Sequence, residues 1–134
     1  MKLFWLAVLS FMLASCGGPA ENAVTSVPST PPQMWGDVEV TVETRPDIAS
    51  VGMNEFLVMV TRKPRKPMFD MVVSIRMSES DPWRQSIQDG HVGVYRRSLE
   101  VTDPATQAVL VRLVHGDGQV ELRFPLRAKS EPHS

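Results

Sequence analysis

From Asp37 onward, apolar and polar residues alternate in short runs that are separated by turn-forming residues. In the clearest run, the apolar residues that alternate with polar or turn-forming ones are Val120, Leu122, Phe124 and Leu126. A two-residue period places every second side chain on one face of a β-strand. No window has the 3.6-residue apolar stripe of an amphipathic helix. This part of the chain is therefore predicted to be all-β.

The number and spacing of these runs indicate an architecture. The predicted strands are Val38 to Arg45, Phe56 to Val60, Met71 to Met77, Trp83 to Gln88, His91 to Val101, Ala108 to His115 and Val120 to Leu126. The second is apolar on both faces, which is typical of a central strand. Asp89-Gly90 is a signal for a two-residue hairpin turn. About seven short strands in about 90 residues predict an immunoglobulin-like antiparallel β-sandwich, although a small barrel fits the same periodicity.

The N-terminus resembles a bacterial lipoprotein signal. Lys2 precedes an apolar run from Leu3 to Leu13, which is shorter than the roughly 20 residues that span a bilayer. Leu13-Ala14-Ser15-Cys16 follows and matches a lipobox. The resemblance implies that residues 1–15 are removed and that diacylglycerol is attached to the Cys16 thiol. The alternative is a plain secretory leader with an incidental cysteine.

A segment of different composition follows the cysteine. From Gly17 to about Gln33 the chain is rich in Gly, Pro, Ser, Thr and Ala and has too few large apolar side chains to form a core. It is predicted to be a disordered tether. The expected organisation is a signal peptide at 1–15, lipidated Cys16 with its tether at 16–35, a sandwich domain at 36–128 and a disordered tail at 129–134.

The residue after the cysteine bears on localisation. Lipoproteins that stay in the inner membrane of Gram-negative bacteria usually have Asp there, whereas this chain has Gly17. Resemblance to that sorting rule implies export and lipid anchoring to the outer membrane, facing the periplasm, if the host is Gram-negative.

Composition and motif spacing exclude several classes of function. The chain has 14 basic and 15 acidic residues and a net charge of −1, so nothing favours a nucleic acid as partner. The single cysteine cannot form a disulfide within the chain. No nucleophile with a base, zinc-ligand spacing or phosphate-binding loop is recognisable, so the chain is not expected to be an enzyme.

The order of features in the predicted domain resembles the YtkA-like and FixH-like family of exported or membrane-tethered β-sandwiches. The matching segments, within Gly36 to Arg127, are Val38–Val42, Val51–Asn54, Phe56–Val60, Gly93-Val94-Tyr95 and Glu121–Leu126. The chain departs from the family at Thr106-Gln107-Ala108, where members often have Gly-Trp. It also departs at 78–83, where members often have Met and His. The resemblance implies an immunoglobulin-like fold, and for some relatives a role in cytochrome oxidase assembly or copper handling.

Two groups of residues are candidate sites. Met53, Met68, His91 and His115 are the candidate copper ligands, since thioether sulfur and imidazole suit that ion. Filling of the core is the simpler explanation for Met59, Met71 and Met77, and solvent-facing positions are the default for the histidines. The candidate partner contacts are Trp83 and four cations around two prolines, Arg62, Lys63, Arg65 and Lys66. The cations suit anionic lipid head groups or an acidic protein, or form a solvated turn. Trp83 is predicted either to anchor a partner or to plug one end of the sandwich.

These features lead to two hypotheses. The first is a membrane-anchored envelope lipoprotein that binds a still unidentified envelope protein through a non-enzymatic module on a flexible stalk, without a cofactor. The alternative is a periplasmic accessory protein that handles copper or assists cytochrome oxidase assembly.

Overall fold

The computed structural model describes residues 30–127, which form two antiparallel β-sheets and no helix. The ten strands are β1 (Gln33–Trp35), β2 (Val38–Arg45), β3 (Gly52–Arg62), β4 (Lys66–Pro67), β5 (Val72–Arg76), β6 (Arg84–Gln85), β7 (Ile87–Gln88), β8 (Val94–Val101), β9 (Ala108–His115) and β10 (Gly118–Pro125). The described residues include no helix long and apolar enough to cross a membrane.

The strand order is that of an immunoglobulin-like sandwich. One sheet has the order β1-β2-β3-β8-β7, with β4 paired to the end of β3, and the other has the order β10-β9-β5-β6. The two sheets share no strand ladder, so the arrangement is a sandwich rather than the small barrel that the periodicity also allowed. The predicted fold class is confirmed, and β3 is central as expected.

Alternation explains the core, because each long strand turns one face toward the opposite sheet. Phe56, Val58 and Val60 of β3 are fully buried, as are Val111 and Leu113 of β9. The outer residues between them are mostly more exposed. The predicted third strand also behaves as expected, since its alternate residues from Met71 to Met77 are buried.

The predicted strand from Trp83 to Gln88 is wrong as a single element. It is divided into β6, which pairs with β5 in one sheet, and β7, which pairs with β8 in the other. The chain changes sheet at the buried Ser86, whose N–H donates to the Val73 carbonyl over 2.8 Å. This split, together with the short β1 and β4, raises the strand count from about seven to ten.

The hairpin predicted at Asp89-Gly90 exists but has a longer loop than expected. The Asp89 N–H donates to the Val94 carbonyl over 2.8 Å, so the loop between these two residues spans 90–93. The preceding strand, β7, ends at Gln88 and β8 begins only at Val94.

The first sheet includes residues that precede the expected domain boundary at residue 36. Gln33–Trp35 forms β1 and pairs with β2, although the composition assigned these residues to the tether. The half-buried Trp35 ring packs beside Gly118, where an added Cβ would lie 3.0 Å from Trp35 Cζ2. Gln33 Nε2 donates to the Arg123 carbonyl of β10, which connects β1 to the second sheet.

The strand directions define two ends of the sandwich. The first, which we call the basic end, carries the connections at 36–37, 63–71, 89–93 and 116–117. The second, the apolar end, carries the connections at 46–51, 77–83 and 102–107. β1 runs toward the basic end and β10 runs away from it. The chain therefore enters β1 from the side of the apolar end, and β10 finishes at that end.

Candidate interaction site

The basic loop, Arg62, Lys63, Arg65 and Lys66, lies in a turn where the chain folds back on β3. Arg62 pairs with Lys66 in the β3–β4 ladder, and its Nε lies 3.3 Å from Asp37 Oδ2. The Lys63 N–H donates to the Asp37 carbonyl over 3.0 Å. Lys63, Arg65 and Lys66 are exposed, and within residues 30–127 no carboxylate forms an ion pair with them. The site therefore has three unmatched cations, and only Arg62 is neutralised.

Two exposed apolar side chains lie at the same end and were not identified from the sequence. Phe69 is 49% exposed and Val92 is 60% exposed. The Phe69 ring meets the His91 ring edge to face with 5.2 Å between centroids, so the connections at 63–71 and 89–93 touch. Phe69 follows a Pro-rich basic turn, which was the only local signal. The contact with His91 spans 22 positions in the chain and has no such signal.

Hydrogen bonds to Tyr95 hold this end of the molecule in place. The Tyr95 side chain is 1% exposed, and its hydroxyl donates to the Met68 carbonyl over 2.8 Å. The same oxygen accepts from the Met71 N–H over 3.3 Å. Burial raises the pKa of the Tyr95 hydroxyl, which keeps it neutral and able to donate. The segment that carries Phe69 is thus fixed at both sides to β8.

His115 joins the second sheet to the same segment. Its Nε2 lies 3.1 Å from Asp70 Oδ2, and this hydrogen bond is the main cause of the lowered pKa of the Asp70 carboxyl. Because the pKa falls on folding, the contact stabilises the fold above the ordinary pKa of an aspartate. That contribution is lost as the pH falls through the lowered value. His115 thus has a structural partner rather than the fully solvated position that was the default.

The four candidate copper ligands do not form one site. Met53 is 65% exposed at the apolar end, whereas Met68, His91 and His115 belong to the basic end. Met68 is buried and packs in the core cluster. Within residues 30–127 no three His, Cys, Asp or Glu side chains are grouped as metal ligands.

Trp83 lies half-buried next to β6, on the outer side of the second sheet. The guanidinium carbons of Arg76 and Arg112 are each 4.2 Å from its ring centroid. Arg112 also pairs with Glu121, with 3.1 Å between Nη2 and Oε1. The predicted plug over one end of the sandwich is wrong, because the indole packs against two surface arginines instead. Its role as a partner contact stays a prediction.

A surface depression of about 580 Å³ lies beside β7 and β8. Arg96 crosses it and pairs with Asp89 and, over 3.8 Å, with Glu55. These two carboxylates pair with the Arg96 guanidinium.

Cys16, the predicted lipidation site, lies outside the described residues. Comparison of the chain with protein-family models, with curated proteins and with solved structures found no match. The resemblance to YtkA-like and FixH-like domains and the copper-handling role that it implies stay predictions.

Proposed function

We propose that the chain is an exported lipoprotein, anchored through lipid on Cys16, whose β-sandwich is a non-enzymatic module that binds an acidic envelope protein. One observation carries the binding part of this proposal. Three unmatched cations and two exposed apolar side chains share one end of the sandwich.

The composition of this surface favours a protein partner. Lys63, Arg65 and Lys66 supply long-range attraction for an acidic surface, which raises the rate of association and depends on salt. Phe69 and Val92 offer apolar area that a partner can cover, and burial of such area stabilises complexes. The hydrogen bonds of Tyr95 hold the segment of Phe69 in a single arrangement, so little ordering is required on binding.

The predicted anchor and tether set how far this surface can lie from the membrane. β1 runs toward the basic end, so the chain comes into this strand from the direction of the apolar end. The 13 residues of the predicted tether that lie between Cys16 and the described part let the domain reach partners within tens of ångströms of the membrane.

The proposal is tested by site-specific photo-crosslinking in living cells with the full-length chain. A photoreactive amino acid in place of Phe69 is expected to form one discrete adduct with an acidic envelope protein. The same amino acid in place of Ser98, exposed on the outer side of β8, is not. Changing Lys63, Arg65 and Lys66 together to Glu is expected to reduce the adduct at least about tenfold, because opposite charges at the contact become like charges.

A matched control changes Arg45, Arg84 and Arg123 together to Glu. These arginines are also exposed but lie outside the basic loop, so the net charge of the protein changes by the same amount. The adduct is expected to persist in this variant. Equal losses in both variants, or an adduct of equal yield from position 98, would contradict binding at the basic end.

A further inference from the structure

The loop between β2 and β3 holds three large apolar side chains in water. Ile48 is 43% exposed, Val51 is 72% exposed and Met53 is 65% exposed, and all three lie within six residues of chain. We call these three residues the apolar tip. Single exposed apolar residues are common on protein surfaces, whereas a local group of them marks a contact site.

The apolar tip is part of a fixed loop. Asn54 is 1% exposed, its Oδ1 accepts from the Ser50 N–H, and its Nδ2 donates to the Ser50 and Gly52 carbonyls. The Thr44 hydroxyl donates to the Asp47 carbonyl over 3.1 Å. With the loop backbone held at several points, the apolar side chains cannot turn inward, so their exposure is a fixed property of the fold.

The position of the apolar tip points to what covers it. The chain approaches β1 from this end, and the Ala49 N–H donates to the Arg127 carbonyl just after β10. The predicted lipid anchor and tether precede residue 30, so the direction of β1 favours the end with the apolar tip as the one that faces the anchored membrane. A short tether also gives the domain a high effective concentration at that surface, so contacts too weak to recruit a free protein can form.

We propose that the apolar tip rests in the interfacial layer of the membrane that anchors the chain, which turns the basic end toward the periplasmic space. This inference depends on the lipid anchor in the proposed function. Valine, isoleucine and methionine side chains gain by leaving water for the boundary between head groups and acyl chains.

Charges at the two ends predict how lipid composition affects this orientation. Glu79, Asp81 and Asp103 are exposed in the other loops of the apolar end, and Glu100 pairs in register with Met53. These four carboxylates outnumber the two exposed cations that flank the same loops, Arg45 and Arg84. Anionic lipid therefore repels the apolar end and attracts Lys63, Arg65 and Lys66 at the basic end. Contact through the apolar tip is expected to be strongest on a zwitterionic surface.

The experiment compares two exposed valines at opposite ends, using the lipidated full chain reconstituted in phosphatidylcholine vesicles. Val51→Cys or Val92→Cys is labelled with an environment-sensitive fluorophore, and nitroxide-bearing lipid is added as quencher. Quenching at position 51 is expected to be at least about twofold greater than at position 92, and to decrease when anionic phosphatidylglycerol is included. Adding Met53→Asp to the Val51→Cys chain is expected to abolish the difference.

Equal quenching at the two positions, or greater quenching at position 92, would overturn the inference. Peptide mapping of the label separates this result from failure of the anchor. A lipidated Cys16 cannot react with the fluorophore, so label on Cys16 would refute the lipid anchor and the orientation together. A blocked Cys16 with equal quenching would refute the orientation alone.

Discussion

Replacing Gly93 with alanine is expected to lower the free energy of unfolding by about 3 kcal/mol. Gly93 has a φ of 74°, and a Cβ at this position would lie 2.6 Å from the Val60 carbonyl oxygen and 3.1 Å from the Met68 N. Both contacts are with backbone atoms, which are themselves joined by a hydrogen bond of 2.9 Å. The clash therefore cannot be relieved by rotation of a side chain. Urea unfolding followed by circular dichroism measures the loss.

Gly90→Ala is the matched control for this substitution. Gly90 lies in the same loop with a similar φ of 62°, but no atom lies within 4 Å of its added Cβ. Only the backbone strain of about 1 kcal/mol is then expected. Equal losses in the two variants would show that the close approach of Gly93 to β3 is not what holds this loop.

Asn54→Ala is expected to lower the free energy of unfolding by about 2 kcal/mol. The substitution removes three hydrogen bonds from the backbone of the loop that carries the apolar tip, with distances of 2.7 to 3.1 Å. It also leaves a small cavity at a position that is 1% exposed. Amide hydrogen exchange is expected to accelerate in residues 48–52 more than in β9.

Ser98→Ala on the exposed side of β8 is a control for this measurement, and its effect is expected to stay within about 0.5 kcal/mol. Unchanged exchange in the loop of the Asn54→Ala variant would contradict the role of Asn54 in fixing the apolar tip.

The long strands could be predicted because their pattern is local. Alternation in β10 and β3 places the buried residues correctly, since one face of each strand meets the opposite sheet. The change of sheet at Ser86 could not be predicted in this way. Nothing in Arg84–Gln88 distinguishes one continuous strand from two short ones, and the choice depends on pairing with β5 and β8. β1 was missed for a similar reason, because packing of Trp35 beside Gly118 orders a segment of polar composition.

The candidate site was likewise only partly predictable from the sequence. The basic loop was visible in the sequence because its charges are neighbours in the chain. The addition of Phe69 and Val92 depends on contact between two distant connections, one of which was expected to be a tight two-residue turn. The apolar tip was not recognised as a group, although Met53 was a candidate copper ligand, because the sequence does not show that Asn54 is buried and leaves Val51 and Met53 exposed. The four candidate copper ligands show the reverse. Methionines suited to copper are frequent in the sequence, but the fold places Met53 at the apolar end, away from the other three candidates.

The two ends of the sandwich differ in the side chains that they expose. The apolar tip lies at the end from which β1 comes, and the basic surface lies at the opposite end, which suits a module that is attached at one side and binds at the other. The role of the apolar tip depends on the attachment, because only the anchor keeps a membrane beside it.

The intact mass of the mature protein purified from membranes tests this central claim most directly. The account predicts that the chain starts at Cys16 and carries the added mass of a diacylglycerol on its sulfur, with or without a further acyl chain on the new amino terminus. A mature protein that begins at any other residue, or that has an unmodified Cys16, would contradict it.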